Sequence, residues 1–178
     1  MLHNTENSYG LITRLLHWII ALMILGLLVV GFTMESMEPS EQKWQLYGYH
    51  KATGFFVFTL VAIRIVWRLI NVEVLLPKDI PHWQAMASKI THYLLYLFMF
   101  LMPFSGIMMS RLGGHNINVF DLFTIPAATK NPEWAGIFHK THGLAAYGIS
   151  AFILLHIGAA LYHHFIRKDN VLMRMIKE

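Results

Sequence analysis

Polar residues are almost absent from four long stretches of this chain and crowd into the segments between them. The apolar stretches cover residues 11–32, 49–70, 90–110 and 139–165. Each matches the run of about 20 apolar residues that an α-helix needs to cross a bilayer. Between them, residues 34–43 hold Glu35, Glu38, Pro39 and Glu41, a wet connection. Residues 77–83 hold Pro77, Pro81 and Trp83, a turn with an interfacial aromatic. The segment before the fourth stretch contains Gly113, Gly114, Asn116, Pro126 and Pro132, so an irregular loop with short helical pieces is expected there. The expected fold is all-α: an integral membrane four-helix bundle forming a single domain over residues 1–178.

Composition agrees with this pattern. Hydrophobic residues make up 56% of the chain and charged residues 13%, against about 25% charged in a soluble domain. The first apolar stretch is too long for a cleaved signal and lacks a clean small-residue cleavage site, so it is read as a retained helix. There is no cysteine, which excludes iron–sulfur ligation, thiolate zinc sites and covalent c-type haem attachment. The net charge of +4 is spread over both flanks and implies membrane topology, not nucleic-acid binding. Nine cations fall on one side: Arg14, Arg64, Arg68, Lys78, Lys89, Arg167, Lys168, Arg174 and Lys177. Five fall on the other: Lys43, Lys51, Arg111, Lys130 and Lys140. Positive charge favours the cytoplasm, so both termini are expected inside.

The chemistry lies in the histidines. His17, His50, His142 and His156 sit within or at the ends of the apolar stretches, where an ionisable side chain is costly unless it has a partner. His142 and His156 are fourteen residues apart. That is about four turns, so they share a helix face with about 21 Å between them. His17 enters from the inner end at a depth like that of His156, and His50 opens its helix at the outer end like His142. Depth therefore favours His17 with His156 and His50 with His142, since crossed pairs would stand about 20 Å apart vertically. Two facing imidazoles, twice over, are what two b-type haems need. Bis-His ligation closes both axial positions and favours electron transfer over oxygen binding. Small residues near these sites, Gly54, Gly143, Ala145, Ala146 and Gly148, leave room for a flat ring, and equally for close helix packing. Another metal, copper for instance, is the rival reading for a chain with eleven Met and eleven His. It explains the paired depths less well.

Other polar positions group around these four. Arg64, fourteen residues after His50, lies on the same helix face in the inner half, placed for a haem carboxylate or for snorkelling. His92 has no ligand partner left at its depth, and is either a surface imidazole or part of an inner quinone pocket. His163 comes seven residues after His156, below the inner site, where a protonatable group would suit a quinone ring. Lys51, Arg111 and Lys140 form a cationic rim at the outer site. That rim would attract an anionic substrate, or pair with haem carboxylates.

Several segments together resemble the bacterial cytochrome b561 family of small dihaem membrane proteins. They are Arg14-Leu15-Leu16-His17-Trp18, His50-Lys51-Ala52-Thr53-Gly54, Arg64 with Arg68, His92 with Tyr93-Leu94-Leu95-Tyr96, and Pro103-Phe104-Ser105-Gly106. The most specific are at the end: His142, His156, His163-His164-Phe165, Lys168-Asp169-Asn170 and Leu172-Met173-Arg174-Met175. The resemblance covers essentially the whole chain. It implies two haem b groups, one on His17 and His156 and one on His50 and His142. It also implies superoxide oxidation at the outer face with ubiquinone as electron acceptor, in a bacterial inner membrane. A quinone near Arg14, His92 or His163 is the expected acceptor site. Two rival functions stand beside this one. The first is an electron-relay subunit of a partner dehydrogenase or hydrogenase. The second is a haem or metal transporter, for which Pro103 and Gly106 would be the helix interruption. No docking domain is apparent, and the chain is expected to act by itself. The oligomeric state is open.

Overall fold

A computed structural model describes residues 1–77 and 79–177; Lys78, counted above among the inner cations, lies outside the described residues. Four long helices dominate: α1 (Leu11–Ser36), α2 (Glu41–Leu69), α3 (His82–Leu112) and α4 (Pro132–Tyr162). All four are long and apolar enough to cross a membrane. Each runs further than its apolar stretch, because capping residues and interfacial turns extend it. Ser40 caps α2 by accepting the Lys43 N–H at 3.2 Å, with Glu41 in the first turn. The connection between α1 and α2 thereby shrinks to a few residues. Asn131 caps α4 by accepting the Trp134 N–H at 3.2 Å, and Pro132 occupies the first helical position, where its missing N–H is harmless.

Two expectations need correction. The loop before α4 holds no helical pieces. It forms an antiparallel hairpin of β1 (Ile117–Val119) and β2 (Phe123–Ile125), with Ile117 opposite Ile125. Ile117 and Val119 are buried while Asn118 between them is exposed, the alternation of a half-buried strand laid on α2. The short alternation is easy to miss among the Gly and Pro residues around it. Secondly, α3 is not interrupted at Pro103 and Gly106; it runs through both. Membrane helices commonly tolerate such a proline.

The described core lies where Ile20 of α1 meets Val57 and Val61 of α2, with Met99 of α3 packed against them. Large apolar residues such as Leu22, Val29, Leu144 and Leu154 point outward, as expected for a bundle whose solvent is lipid. α1 packs on α2, α3 packs on α4, and α2 also meets α3. The backbone of α4 packs far more closely on α3 than on α1 or α2. Both termini lie at one end of the bundle: Trp18 Nε1–H donates to the Met175 carbonyl at 3.0 Å, and Arg14 reaches the Ile176 carbonyl at 3.4 Å. The β-hairpin closes the opposite end.

Candidate haem sites

Histidines of α1 and α2 lie opposite histidines of α4. The His17 and His156 rings lie 6.1 Å apart between centroids, at 66° to each other. The His50 and His142 rings lie 6.2 Å apart, at 80°. Metal–imidazole bonds run about 2 Å and a ring nitrogen lies about 1.1 Å from its ring centre, so two imidazoles sharing one metal have centres about 6.2 Å apart. Both pairs meet that separation. In each pair one ring comes from α4 and the other from α1 or α2, helices that pack less closely on α4 than α3 does.

The seat of His142 is built by the Pro103 region of α3. Pro103 has no N–H to give to the preceding turn. Nearby, the Met102 carbonyl receives two hydrogen bonds, from His142 Nδ1 at 2.9 Å and from Ser105 Oγ at 2.9 Å. Ser105 is fully buried, and its Oγ lies 3.3 Å from His142 Nδ1. A carbonyl only accepts, so the proton sits on Nδ1 and Nε2 keeps a lone pair for a metal. Gly106 makes this seat possible: a Cβ there would lie 3.1 Å from His142 Cε1 and 3.3 Å from Nδ1. On the facing ring, His50 Nδ1 is buried with no hydrogen-bond partner. Such an atom is costly unless something else uses the ring. An apolar cavity with about 460 Å³ of empty space, part of it open to the surface, lies between these two rings. Gly54, Val57, Met99, Met102 and Ile149 contribute to its walls, and a Cβ added at Gly54 would meet nothing within 4 Å. The residues at this end fit a b-type haem.

The other pair has closer company. Arg64 Nη2 lies 3.1 Å from His17 Nδ1, and Arg64 Nε donates to Tyr96 Oη at 3.4 Å. Arg64 only donates, so His17 Nδ1 accepts here. Were His17 to hold a metal through Nε2, its Nδ1 would carry the proton and Arg64 would turn to another acceptor. A haem carboxylate is one such acceptor. His92 is half-buried, and its ring stands 5.4 Å from that of His156. Arg68 lies over the Tyr96 ring at 5.4 Å. At the termini end, His163 donates from Nδ1 to Asp169 at 2.6 Å. Among the described residues no group of three or more His, Cys, Asp or Glu is arranged to hold a bare metal ion. A metal held by two of these histidines would need a porphyrin or a similar group to supply its remaining donors.

At the hairpin end, Lys51 Nζ donates to the Asn116 carbonyl at 3.3 Å and Arg111 Nε to the Pro126 carbonyl at 3.0 Å. Both therefore tie the hairpin down while keeping donors to spare. Lys140 is exposed.

The model of the prokaryotic cytochrome b561 family matches residues 8–178. The chain belongs to the prokaryotic cytochrome b561 family. It is 30% identical to cytochrome b561 homolog 2 of Escherichia coli, over 97% of this chain and 93% of that protein. It is 29% identical to cytochrome b561 homolog 1 of the same organism, over 90% and 92%. It is also 29% identical to the probable superoxide oxidase CybB of Yersinia pestis, over 96% and 97%. As a prokaryotic cytochrome b561 it is a multi-pass inner-membrane protein that uses b-type haem for transmembrane electron transfer, an oxidoreductase in the broad sense.

The sequence alone did not reveal three parts of these sites. They are the Met102–Ser105–Gly106 seat of His142, the approach of His92 to His156, and the partnership of His163 with Asp169. The first had a signal: a proline, a serine and a glycine within four residues of a membrane helix mark freed backbone and close approach.

Proposed function

We propose that this cytochrome moves electrons across the inner membrane from superoxide to ubiquinone through two b-type haems, held by His17 with His156 and by His50 with His142. The observation that carries the reading is the pair of facing imidazole couples, 6.1 and 6.2 Å apart, at two depths of one bundle. In this reading the hairpin end faces the periplasm and the termini end, with the larger share of Lys and Arg, faces the cytoplasm. When bound, b-type haem supplies one-electron redox chemistry at an iron closed to oxygen on both faces.

The balance is two superoxide anions oxidised to two dioxygen molecules, with one ubiquinone taking up two electrons and two protons to become ubiquinol. The name of the Yersinia relative supports superoxide as the donor. The chain's own residues would attract, seat and exclude. Lys51, Arg111 and Lys140 place positive charge where an anion arrives. The Met102 carbonyl and Ser105 fix the His142 tautomer. Apolar walls at Val57, Met99 and Ile149 keep water from the cavity. Arg14, His92 and His163 stand toward the termini end, where a quinone would exchange protons with the cytoplasm.

Alanine substitution at each of the four histidines, with haem counted per protein, tests the pairing. His17→Ala and His156→Ala should lose one haem, and His50→Ala and His142→Ala the other, each set with its own spectral component. Purified wild-type protein mixed with superoxide and a short-chain ubiquinone should form quinol without any partner protein. Protein that binds a single haem, or the same haem lost from all four variants, would overturn the pairing. Haem that superoxide cannot reduce, but that a partner dehydrogenase can, would replace the superoxide reading with the relay reading.

A further inference from the structure

The end of α4 departs from ordinary helix termination. His163–Arg167 form a single π-turn, and Lys168 then takes the left-handed conformation, φ 55° and ψ 35°. Residues six apart on a regular helix stand about 240° around the axis and do not meet. Here the wider turn and the reversal at Lys168 bring residue 169 back onto residue 163. The Asp169 N–H donates to the His163 carbonyl at 3.2 Å, and His163 Nδ1–H donates to Asp169 Oδ2 at 2.6 Å. Arg167 Nε donates to the same Oδ2 at 3.2 Å, and Asp169 Oδ1 accepts the Val171 N–H at 3.1 Å. Arg167 also spans to the α2–α3 loop, where its Nη2 donates to Asp79 Oδ2 at 2.8 Å and to the Asp79 carbonyl at 3.2 Å. The His163 and Asp169 side chains are only 14% and 11% exposed. A lysine in the left-handed region costs about 1 kcal/mol. Stopping a helix does not require that, since glycine does it freely.

We propose that Asp169 is a positioning residue for quinone reduction: it holds the proton on His163 Nδ1 and so presents Nε2 to exchange protons with the quinone. This rests on the reading that quinone is reduced at the termini end. In that step the quinone takes two electrons from the cytochrome and two protons. His163 relays the two protons one at a time, taking each from the cytoplasm and passing it from Nε2 to a quinone oxygen. Arg167 is shared between Asp169 and Asp79 of the α2–α3 loop, and so ties the Asp169 carboxylate in place. The Tyr162 ring meets the imidazole edge-on at 5.9 Å.

The test uses haem-loaded protein in lipid nanodiscs, reduced without oxygen, then mixed with a short-chain ubiquinone between about pH 5 and 8. Haem reoxidation gives the rate. His163→Ala should slow it about 100-fold, within the range of a lost proton donor. Asp169→Asn should slow it about tenfold. Asp169→Glu, which keeps the carboxylate, should restore the rate. Nitrogen NMR of histidine-labelled protein provides a readout apart from activity. The His163 Nδ1–H signal should be sharp in the wild type and in Asp169→Glu, and lost in Asp169→Asn. If Asp169→Asn lowers the melting temperature but leaves the rate and the tautomer unchanged, Asp169 is only a helix cap and the inference fails. If His163→Ala is slow and Asp169→Asn is not, the inference falls while the quinone reading stands. If His163→Ala itself has the wild-type rate and profile, the quinone reading at this end falls with it.

Discussion

Replacing Gly106 with alanine adds one methyl group and should loosen the hold on the haem at the hairpin end. The new Cβ would lie 3.1 Å from His142 Cε1 and 3.3 Å from Nδ1, whereas comfortable carbon contacts are about 3.5–4.0 Å. The ring must therefore retreat by roughly half an ångström. It is pinned by the 2.9 Å bond from Nδ1 to the Met102 carbonyl, and such a shift lengthens that bond to the edge of useful hydrogen-bond range. Loss of most of one hydrogen bond costs about 1 kcal/mol, and the overpacking about 1 kcal/mol more. Together these weaken haem binding on the order of tenfold to thirtyfold. Competition for haem by an apo-globin, followed by reduced-minus-oxidised spectra, measures the loss and shows which haem leaves. The haem on His17 and His156 should stay. Gly136→Ala serves as control: Gly136 is on the same helix as His142, exposed, and a Cβ there meets nothing within 4 Å. Wild-type haem retention in Gly106→Ala, or equal loss from both sites, would refute the reasoning.

Three further outcomes are expected. Gly54→Leu fills the cavity between His50 and His142 and should cut haem content by one while the helical circular dichroism is unchanged; full haem content would show that the cavity is not the haem slot. Superoxide-driven reduction should slow with added salt and in Lys140→Gln. A unit charge about 10 Å from an anion in water contributes about 0.4 kcal/mol, or about twofold in rate, and a rate indifferent to both changes would remove the steering role. Burial on its own would raise the Asp169 carboxyl. The hydrogen bonds from His163, the Val171 N–H and Arg167 outweigh burial and hold the carboxyl below its ordinary value of 3.8. A depressed carboxyl stabilises above its unfolded value and loses that contribution as pH falls through the folded one. Amide exchange at Val171 should therefore stay slow above 3.8 and speed up only in stronger acid, and protection lost near neutral pH would contradict the assignment.

Much of the architecture was legible in the sequence for one reason: lipid offers no hydrogen bonds. An apolar run of sufficient length must become a helix, and four such runs with short connections leave little choice of topology. Helix ends were less legible, since Ser40 and Asn131 extend α2 and α4 into polar sequence through local capping bonds. The hairpin was not legible at all. Three-residue strands at Ile117–Val119 and Phe123–Ile125 carry too little alternation to stand out, and burial of Ile117 and Val119 against α2 is what selects them.

For the candidate sites, the sequence by itself determined depth. The rise per residue of a helix sets how far His142 lies from His156, and the entry side of each span sets where His17 and His50 fall, before any packing is known. Tertiary structure alone decided which way each ring turns and what it touches. The Met102 carbonyl reaches His142 because α3 packs on α4 and Gly106 leaves room for the ring. His92 reaches His156 because α3 packs closely on α4. Asp169 reaches His163 because a π-turn and a left-handed lysine fold the chain back on itself. Depth is a property of one helix, additive along the chain. Orientation and partnership arise between helices, where side-chain shape and freed backbone groups decide the outcome.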